Sequence, residues 1–255
     1  MRLLFIGDVV GKHGCDFLSK KLFSIKKEYE IDVTVINGEN SADGNGITKA
    51  SLDMLTSYGA DVITTGNHAF KRQDCAGFFN SSGHLLRPAN YPESVCGRGV
   101  YILDTGMVQL AVINLMGVIF MEPLDNPFNK IDEILSEIKT PNIFVDFHAE
   151  ATSEKKAMGH YLSGRVTAVM GTHTHVQTAD ETILSDHTAY ITDVGMTGAE
   201  NSVLGVKSEI IIEKLKNRFP VRFVESREPC FLNGIVIDFD EKLGKANKIT
   251  RLILR

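Results

Sequence analysis

Gly171-Thr172-His173-Thr174-His175 follows an apolar run, Val166 to Met170, that reads as a buried strand. In an extended segment, side chains at alternate positions point to one side. His173 and His175 are therefore expected to share a face. Packing rarely asks for two neighbouring imidazoles on one face. Holding a metal ion does. The rest of the chain can be read for the partners of that pair and for the fold that delivers them.

Upstream, short apolar runs alternate with helix-period stretches. Leu3 to Ile6 is all apolar, as expected of a strand covered on both faces, and it ends at Gly7-Asp8. Phe17, Leu18, Leu22, Ile25 and Tyr29 form a helical stripe with lysines opposite. Val33 to Ile36 is a second strand, ending at Asn37-Gly38-Glu39-Asn40. The turn-rich Asp43-Gly44-Asn45-Gly46 follows, and Thr48 is placed to cap a helix carrying Leu52, Leu55 and Tyr58. Asp61 to Thr65 is a third strand, ending at Gly66-Asn67-His68. Strand, helix, strand, helix, strand predicts parallel pairing with crossover helices.

The middle is less regular. Val100 to Leu103 and Val108 to Leu115 read as an antiparallel pair, and Ile131, Ile134, Leu135 and Ile138 as a helix stopped at Pro141-Asn142. Ile143-Phe144-Val145 is a strand ending at Asp146-Phe147-His148. Ala189 to Asp193 is strand-like, and Ser208 to Leu215 is helical despite its Ile210-Ile211-Ile212 run. Val221 to Val224, Phe231 to Phe239 and Ile249 to Leu254 read as antiparallel strands. The expected fold class is α/β: central mixed sheet or sheets flanked by helices, with ligands at the carboxyl ends of the strands. No repeat or linker divides residues 1–255, so one domain is expected, with room for a small cap built from loops.

Composition narrows the function. The 255 residues are 43% hydrophobic and 23% charged, with a net charge of −5. An acidic chain without a basic run argues against long nucleic acid as substrate. Cys15, Cys75, Cys96 and Cys230 are scattered, with neither a C-x-x-C pair nor a zinc-finger spacing. The opening Met1 to Ile6 is too short for a secretory core, and no apolar run approaches a membrane span. A reduced, cytoplasmic setting is the expectation. Nothing in the sequence fixes an oligomeric state, and a homo-oligomer is allowed.

Five apolar runs end in residues with the chemistry of metal ligands: Asp8, Glu39, Asn67, His148, and His173 with His175. In open α/β sheets, ligands gather at the carboxyl ends of the strands, so these residues are expected to converge. Two carboxylates, an amide and three imidazoles are too many for one tetrahedral zinc. They suit two ions of intermediate softness, such as iron, manganese or zinc, with Glu39 as the bridge. Two such ions polarise a phosphoryl oxygen and ionise water at neutral pH. His68, beside Asn67, is placed to protonate the leaving alkoxide as a general acid.

Taken singly, most of these residues have plainer uses. Asp8 would serve as a helix cap, Glu39-Asn40 as turn residues and His148 as a core histidine. Only the pair His173 and His175 points to a metal unaided. His84, His160 and His187 read as surface or packing residues, and His13 sits beside the first block. Lys12 reads as a solvated loop residue before it reads as a phosphate contact, Asp146 as a partner behind His148 or a residue that only faces a helix, and the cysteines as small buried apolar groups. Thr192-Asp193 and Thr197 read equally as site lining or as turns.

The ordered blocks Gly7-Asp8, Gly38-Glu39-Asn40, Gly66-Asn67-His68, His148 and Gly171-Thr172-His173-Thr174-His175 resemble those of the calcineurin-like metallophosphoesterases. The agreement is closer with the YmdB-like branch of that family. Gly7 to Lys12, Asn37 to Asn40, His173 to Asp180 and Thr192 to Gly198 are similar to its signatures. The similarity runs to about Val206 and resumes at Asn233-Gly234. Val10 stands where the wider superfamily has a histidine, and Glu39 where it has an aspartate; both departures match the branch. His13 and Cys15-Asp16 depart from the branch, near the expected substrate contacts.

The resemblance implies the calcineurin-like fold and a residue assignment. Asp8, Glu39, Asn40 and His175 would hold one metal, and Glu39, Asn67, His148 and His173 the other. His68 would be the proton donor. It also implies hydrolysis of a small 2',3'-cyclic nucleotide at the 2' ester, giving the 3'-phosphonucleotide, often with iron in the site. The residues alone reach only a two-metal phosphoesterase. A phosphomonoesterase or nuclease on the same centre is the alternative. A reading of another class is a regulatory binding protein associated with RNA decay, which would survive loss of turnover.

Overall fold

The computed structural model describes residues 1–255. In chain order its elements are β1 (Arg2–Ile6), β2 (Asp8–Val9), α1 (Gly11–Glu28), β3 (Val33–Asn37), α2 (Lys49–Tyr58), β4 (Val62–Thr64) and α3 (Cys75–Ser81). Next come β5 (Val100–Asp104), β6 (Gln109–Met116), α4 (Pro127–Glu137), β7 (Asn142–His148), α5 (Thr152–Leu162) and β8 (Ala168–Thr172). The chain closes with β9 (Thr182–Leu184), β10 (Thr188–Ile191), β11 (Met196–Ala199), α6 (Ser208–Asn217), β12 (Cys230–Asp240) and β13 (Lys245–Leu254). No helix is long and apolar enough to cross a membrane.

The strands form two sheets. A seven-stranded sheet runs β2-β11-β12-β1-β3-β4, with β13 also on β12. A six-stranded sheet runs β5-β6-β7-β8-β10-β9. Each has a parallel heart, β1-β3-β4 in one and β6-β7-β8-β10 in the other; outside it the pairing is antiparallel, except that β2 lies parallel on β11. The expected α/β class with mixed sheets is what the chain adopts.

Alternation along the strands builds the layers. In β1, Leu4 and Ile6 pack with Leu18, Leu22 and Leu55 of α1 and α2, whereas Leu3 and Phe5 face the second sheet and join Val112, Phe144 and Met170. In β7, Phe144 faces that inter-sheet core, and Val145 faces Ile131 of α4 with Met158 and Leu162 of α5. Runs that read as apolar throughout are therefore covered on both faces. Truncating a fully buried residue such as Leu22 to alanine would cost about 2–5 kcal/mol.

Local chemistry fixes the helix ends. Thr48 and Ser51 form a reciprocal capping box at the start of α2, and Gly59 ends it in the left-handed region at φ 110°. Asn126 caps α4 by accepting from the backbone N–H of Phe128, with Pro127 at the first helical position. Val10 gives α1 no side-chain cap. Glu225, far along the chain, accepts instead from the His13 N–H at 3.0 Å.

Two expectations fail. Val221 to Val224 is not a strand; it is irregular chain leading to an isolated bridge at Glu225. It follows α6 on the surface, where no sheet edge receives it. The extended reading of His173 and His175 also fails. β8 ends at Thr172, and the two histidines take φ values of 103° and 64°.

Candidate metal centre

The candidate ligands collect where the carboxyl ends of both parallel hearts meet. Asp8 starts the short β2, Glu39 and Asn40 follow β3, and Asn67 and His68 follow β4. His148 is the last residue of β7, and His173 and His175 lie just past β8. The first group comes from one sheet and the second from the other, so the centre spans the two.

Glu39 is completely buried at the middle. Its Oε1 accepts from Asn40 Nδ2 at 3.0 Å, and its Oε2 lies 3.3 Å from His148 Nε2. On one side stand Asp8, Asn40 and His175. Asn40 Nδ2 is 3.5 Å from Asp8 Oδ1 and 3.3 Å from His175 Nε2, and His175 Nε2 is 3.8 Å from Asp8 Oδ1. On the other side His148 Nε2 is 2.9 Å from Asn67 Oδ1 and 3.1 Å from His173 Nδ1. Ligand atoms of Glu39, His148 and His173 all lie within 4.8 Å of one another. All seven expected ligands are thus brought together in two groups that meet at Glu39.

The outer hydrogen bonds decide which nitrogen of each imidazole faces inward. Thr172 Oγ1 donates its single proton to Asp146 Oδ1 at 2.7 Å, so it accepts from His148 Nδ1 at 2.9 Å. His148 Nε2 is left with its lone pair aimed at the centre. His173 Nε2 is 3.0 Å from Glu150 Oε2, which places its proton there and turns the Nδ1 lone pair inward. Asn67 Oδ1 and Glu39 Oε2 aim at the same point. Of these four lone-pair atoms only Glu39 Oε2 has a donor, the His68 backbone N–H at 3.2 Å, and a set so poor in donors is stabilised by a positive charge at its centre. The donor set therefore fits a cation, and its mix of imidazole, carboxylate and amide suits a transition metal.

The electrostatics agree. Burial disfavours a charged His148, yet Glu39, Asp8 and Asp146 together push it up to about 9. Burial, and then the charge on His148, push His173 down to about 3. Burial raises Asp8 and lifts Asp146 to about 6, while His148 and His68 overcome the burial of Glu39 and hold it well below the usual carboxylate range.

Asn40 fits less simply. Its Nδ2 faces Asp8 and His175, while its Oδ1 lies 2.8 Å from His68 Nδ1. It offers an oxygen to the Asp8 side only with its amide turned over. His175 Nδ1 is buried without a partner.

His68 lies at the edge of the centre. Its Nδ1 is 3.2 Å from Glu39 Oε1, and its side chain is 30% exposed, so its outer nitrogen can reach a bound molecule. Gly66, before the Asn67-His68 pair, is required by close approach. A Cβ there would lie 2.2 Å from His148 Cδ2 and 2.4 Å from Glu39 Oε2.

Several residues support the centre from behind. Asp146 proves to be a buried knot between the sheets, accepting from Thr172, from Thr64 at 2.5 Å and from Asn37 at 3.0 Å. Glu150 follows His148 at the next alternate position, a signal that alternation could have supplied. Asp193 accepts from the buried Lys155 at 2.7 Å. A mid-helix lysine ordinarily reads as solvent-facing. Of the other histidines, His13 turns its Nε2 to the Glu228 carbonyl at 3.1 Å, and His84 pairs with Thr56. Lys12 is exposed near Asp16. Cys15, Cys75 and Cys230 are buried, and burial pushes Cys15 up to about 12.

A cavity of about 490 Å³ opens beside the centre. Glu39, Asn40, His68, His173 and His175 line one side of it, and residues of α6 and its flanking segments the other.

Comparison with known proteins places this arrangement. A family model described as YmdB-like protein matches residues 4–252. A 2',3'-cyclic-nucleotide 2'-phosphodiesterase from Bacillus subtilis is 49% identical, with the alignment covering 100% of this chain and 97% of that one. A solved phosphatase structure from Mycoplasma pneumoniae superposes with a TM-score of 0.94 at 33% identity, over 100% of this chain and 93% of that one. The fold is shared more widely. YfkN from Bacillus subtilis, a calcineurin-like phosphoesterase, superposes with a TM-score of 0.57 at 12% identity, over 100% of this chain and 90% of that one. With the family model spanning both sheets and all seven gathered side chains, the chain is an enzyme of the YmdB-like family, built on the calcineurin-like phosphoesterase fold.

Proposed function

We propose that this chain is a dinuclear metal-dependent phosphodiesterase that hydrolyses 2',3'-cyclic nucleotides to 3'-phosphonucleotides. The observation that carries it is the place of buried Glu39 between two groups of candidate ligands, Asp8, Asn40 and His175 on one side and Asn67, His148 and His173 on the other, with His68 at the edge. The substrate class is supported by the relative named for that activity.

Asp8, Glu39, Asn40 and His175 would hold one ion, and Glu39, Asn67, His148 and His173 the other. Iron is the leading choice, with manganese or zinc as alternatives. When bound, the two ions supply Lewis acidity toward the phosphoryl oxygens and activate water as nucleophile. This chain's own residues do the rest. Thr172 and Asp146 keep the proton of His148 on Nδ1, and Glu150 keeps that of His173 on Nε2. Water oxygen bonds to phosphorus as the bond to the 2' oxygen breaks. His68 gives its proton to that oxygen, which leaves as the 2' hydroxyl, and the phosphate stays on the 3' oxygen. Glu39 Oε1 and Asn40 Oδ1 beside His68 Nδ1 hold the ring in place for that transfer.

The test is turnover of 2',3'-cyclic AMP by metal-loaded protein, set against a generic phosphodiester and a phosphomonoester. Selective release of the 3'-phosphate is expected. An intact dinuclear protein inert on the cyclic compound, or one faster on the monoester, would overturn the proposal.

A further inference from the structure

The cavity beside the candidate centre has two unlike walls. Phosphate chemistry needs only the polar one. The other is formed by Leu204, Ile211, Leu215 and Phe223, from the turn before α6, from α6 itself and from the segment after it. These side chains do little for the core. No residue of α6 is buried, and Leu204, Leu215 and Phe223 are 46%, 61% and 50% exposed. Leu204 also takes a left-handed φ of 55°, which costs a bulky residue energy and is held here by the pairing of Val203 with Val206. Lys214 sets its ammonium 4.4 Å from the Phe223 ring centroid. An aromatic face and a positive charge thus stand side by side, opposite the candidate ligands.

We propose, resting on the cyclic-nucleotide reading above, that this wall is a nucleobase platform. Phe223 stacks on the base, Leu204 and Leu215 close around it, and the phosphate lies against the polar wall. About 490 Å³ is far more than a phosphate fills, and it is in the range of sites that enclose small organic ligands. The half-apolar, half-polar lining matches a flat base joined to an anion. Lys214 adds attraction for that anion in a cavity that also carries the Glu39 and Glu150 carboxylates. Every base has a π-face, so stacking selects nucleosides over base-free esters without choosing strongly among bases.

The experiment compares two substrates on the metal-loaded full chain: 2',3'-cyclic AMP, and glycerol 1,2-cyclic phosphate, which keeps the cyclic phosphodiester and lacks a base. Wild type is expected to favour the nucleotide by about tenfold or more in kcat/KM. Phe223→Ala should lose most of that preference, through KM for the nucleotide rather than kcat, while Phe223→Trp retains it. Leu215→Ala, on an exposed helix face, should raise KM for the nucleotide less, and it guards against misfolding of the Phe223 variant. Equal kcat/KM for the two substrates in wild type, or equal damage from Phe223→Ala and Phe223→Trp, would overturn the platform while leaving the phosphodiesterase standing. Equal damage is also what a protein-docking role for this face predicts. A wild type that turns over neither substrate would remove the cyclic-phosphodiester reading, and the platform with it.

Discussion

Asp193 grips Thr174 twice: its Oδ2 accepts from the Thr174 backbone N–H at 3.0 Å and from the Thr174 hydroxyl at 2.8 Å. Thr174 is the residue between His173 and His175, so the grip fixes the left-handed turn that aims both imidazoles. Lys155 neutralises Asp193 from α5, with both side chains shielded from solvent. Removing one member of a buried ion pair leaves the other uncompensated, at about 3–5 kcal/mol. Asp193→Asn is therefore expected to lower Tm by on the order of 10 °C. It should also lower metal content, because the turn loosens. Pairing it with Lys155→Met, which removes the stranded charge, should recover Tm more than metal content. Thermal unfolding and metal analysis of the three proteins check this, and a single variant as stable as wild type would refute it.

Asp180 anchors the same loop further on. Burial works against its charge, but hydrogen bonds from Lys156, Thr192 and Thr178 hold its carboxyl well below the usual range. A depressed folded value gives stability that is complete above the unfolded value, about 3.9, and is lost as pH falls through it toward the folded value. Asp180→Asn should thus be less stable than wild type at neutral pH, with the difference shrinking below about pH 4. Urea unfolding of both proteins from about pH 7 down to about pH 3 measures the gap. A gap independent of pH would assign the loss to shape rather than charge.

Thr172→Val isolates the support behind His148. The isostere removes the hydroxyl that joins Asp146 to His148 Nδ1 and leaves the packing volume unchanged. Loss of such an outer partner lowers metal affinity by about 10- to 100-fold. Activity should then fall at limiting metal and recover at excess metal. Competition with a chelator gives the affinities; an unchanged affinity would mean that Thr172 only packs.

What the sequence disclosed, and what it hid, follows from the range of the interactions. Leu3 to Ile6 reads correctly as a two-sided strand, and Thr48 as a cap, because neighbouring residues decide both. Six of the candidate ligands were legible because they stand at the ends of five apolar runs, whichever sheet each run joins, and Asn40 entered only through the family resemblance. The division into two sheets was not legible. β12 lies between β11 and β1, and nothing local to Cys230–Asp240 names those partners. His173 and His175 reach the site for a reason other than the one the sequence gives, since Asp193, rather than strand alternation, sets their direction. Lys155 was hidden because its charge is cancelled by a residue 38 positions away.

Gly66→Ala tests close approach without substituting any candidate ligand. A methyl group 2.2 Å from His148 and 2.4 Å from Glu39 must displace one of them. The strands on either side remain packed, so the expected outcome is a folded protein with reduced metal content and little turnover. Circular dichroism and metal analysis separate this from misfolding. Full metal content with normal activity would show that the crowding is relieved at no cost to the centre.

His68→Ala bears on the proton. His68 contacts Asn40 Oδ1 and Glu39 Oε1 through one nitrogen and lines the cavity, so its removal should leave both ions bound. A general acid contributes about 10²- to 10⁴-fold, so kcat on 2',3'-cyclic AMP should fall within that range. The loss must depend on the leaving group. A nitrophenyl diester expels a stable anion and needs little protonation, so its turnover should suffer much less. If both substrates lose rate equally while the metals stay bound, His68 acts by holding Asn40 and Glu39 in place, and the proton must come from elsewhere.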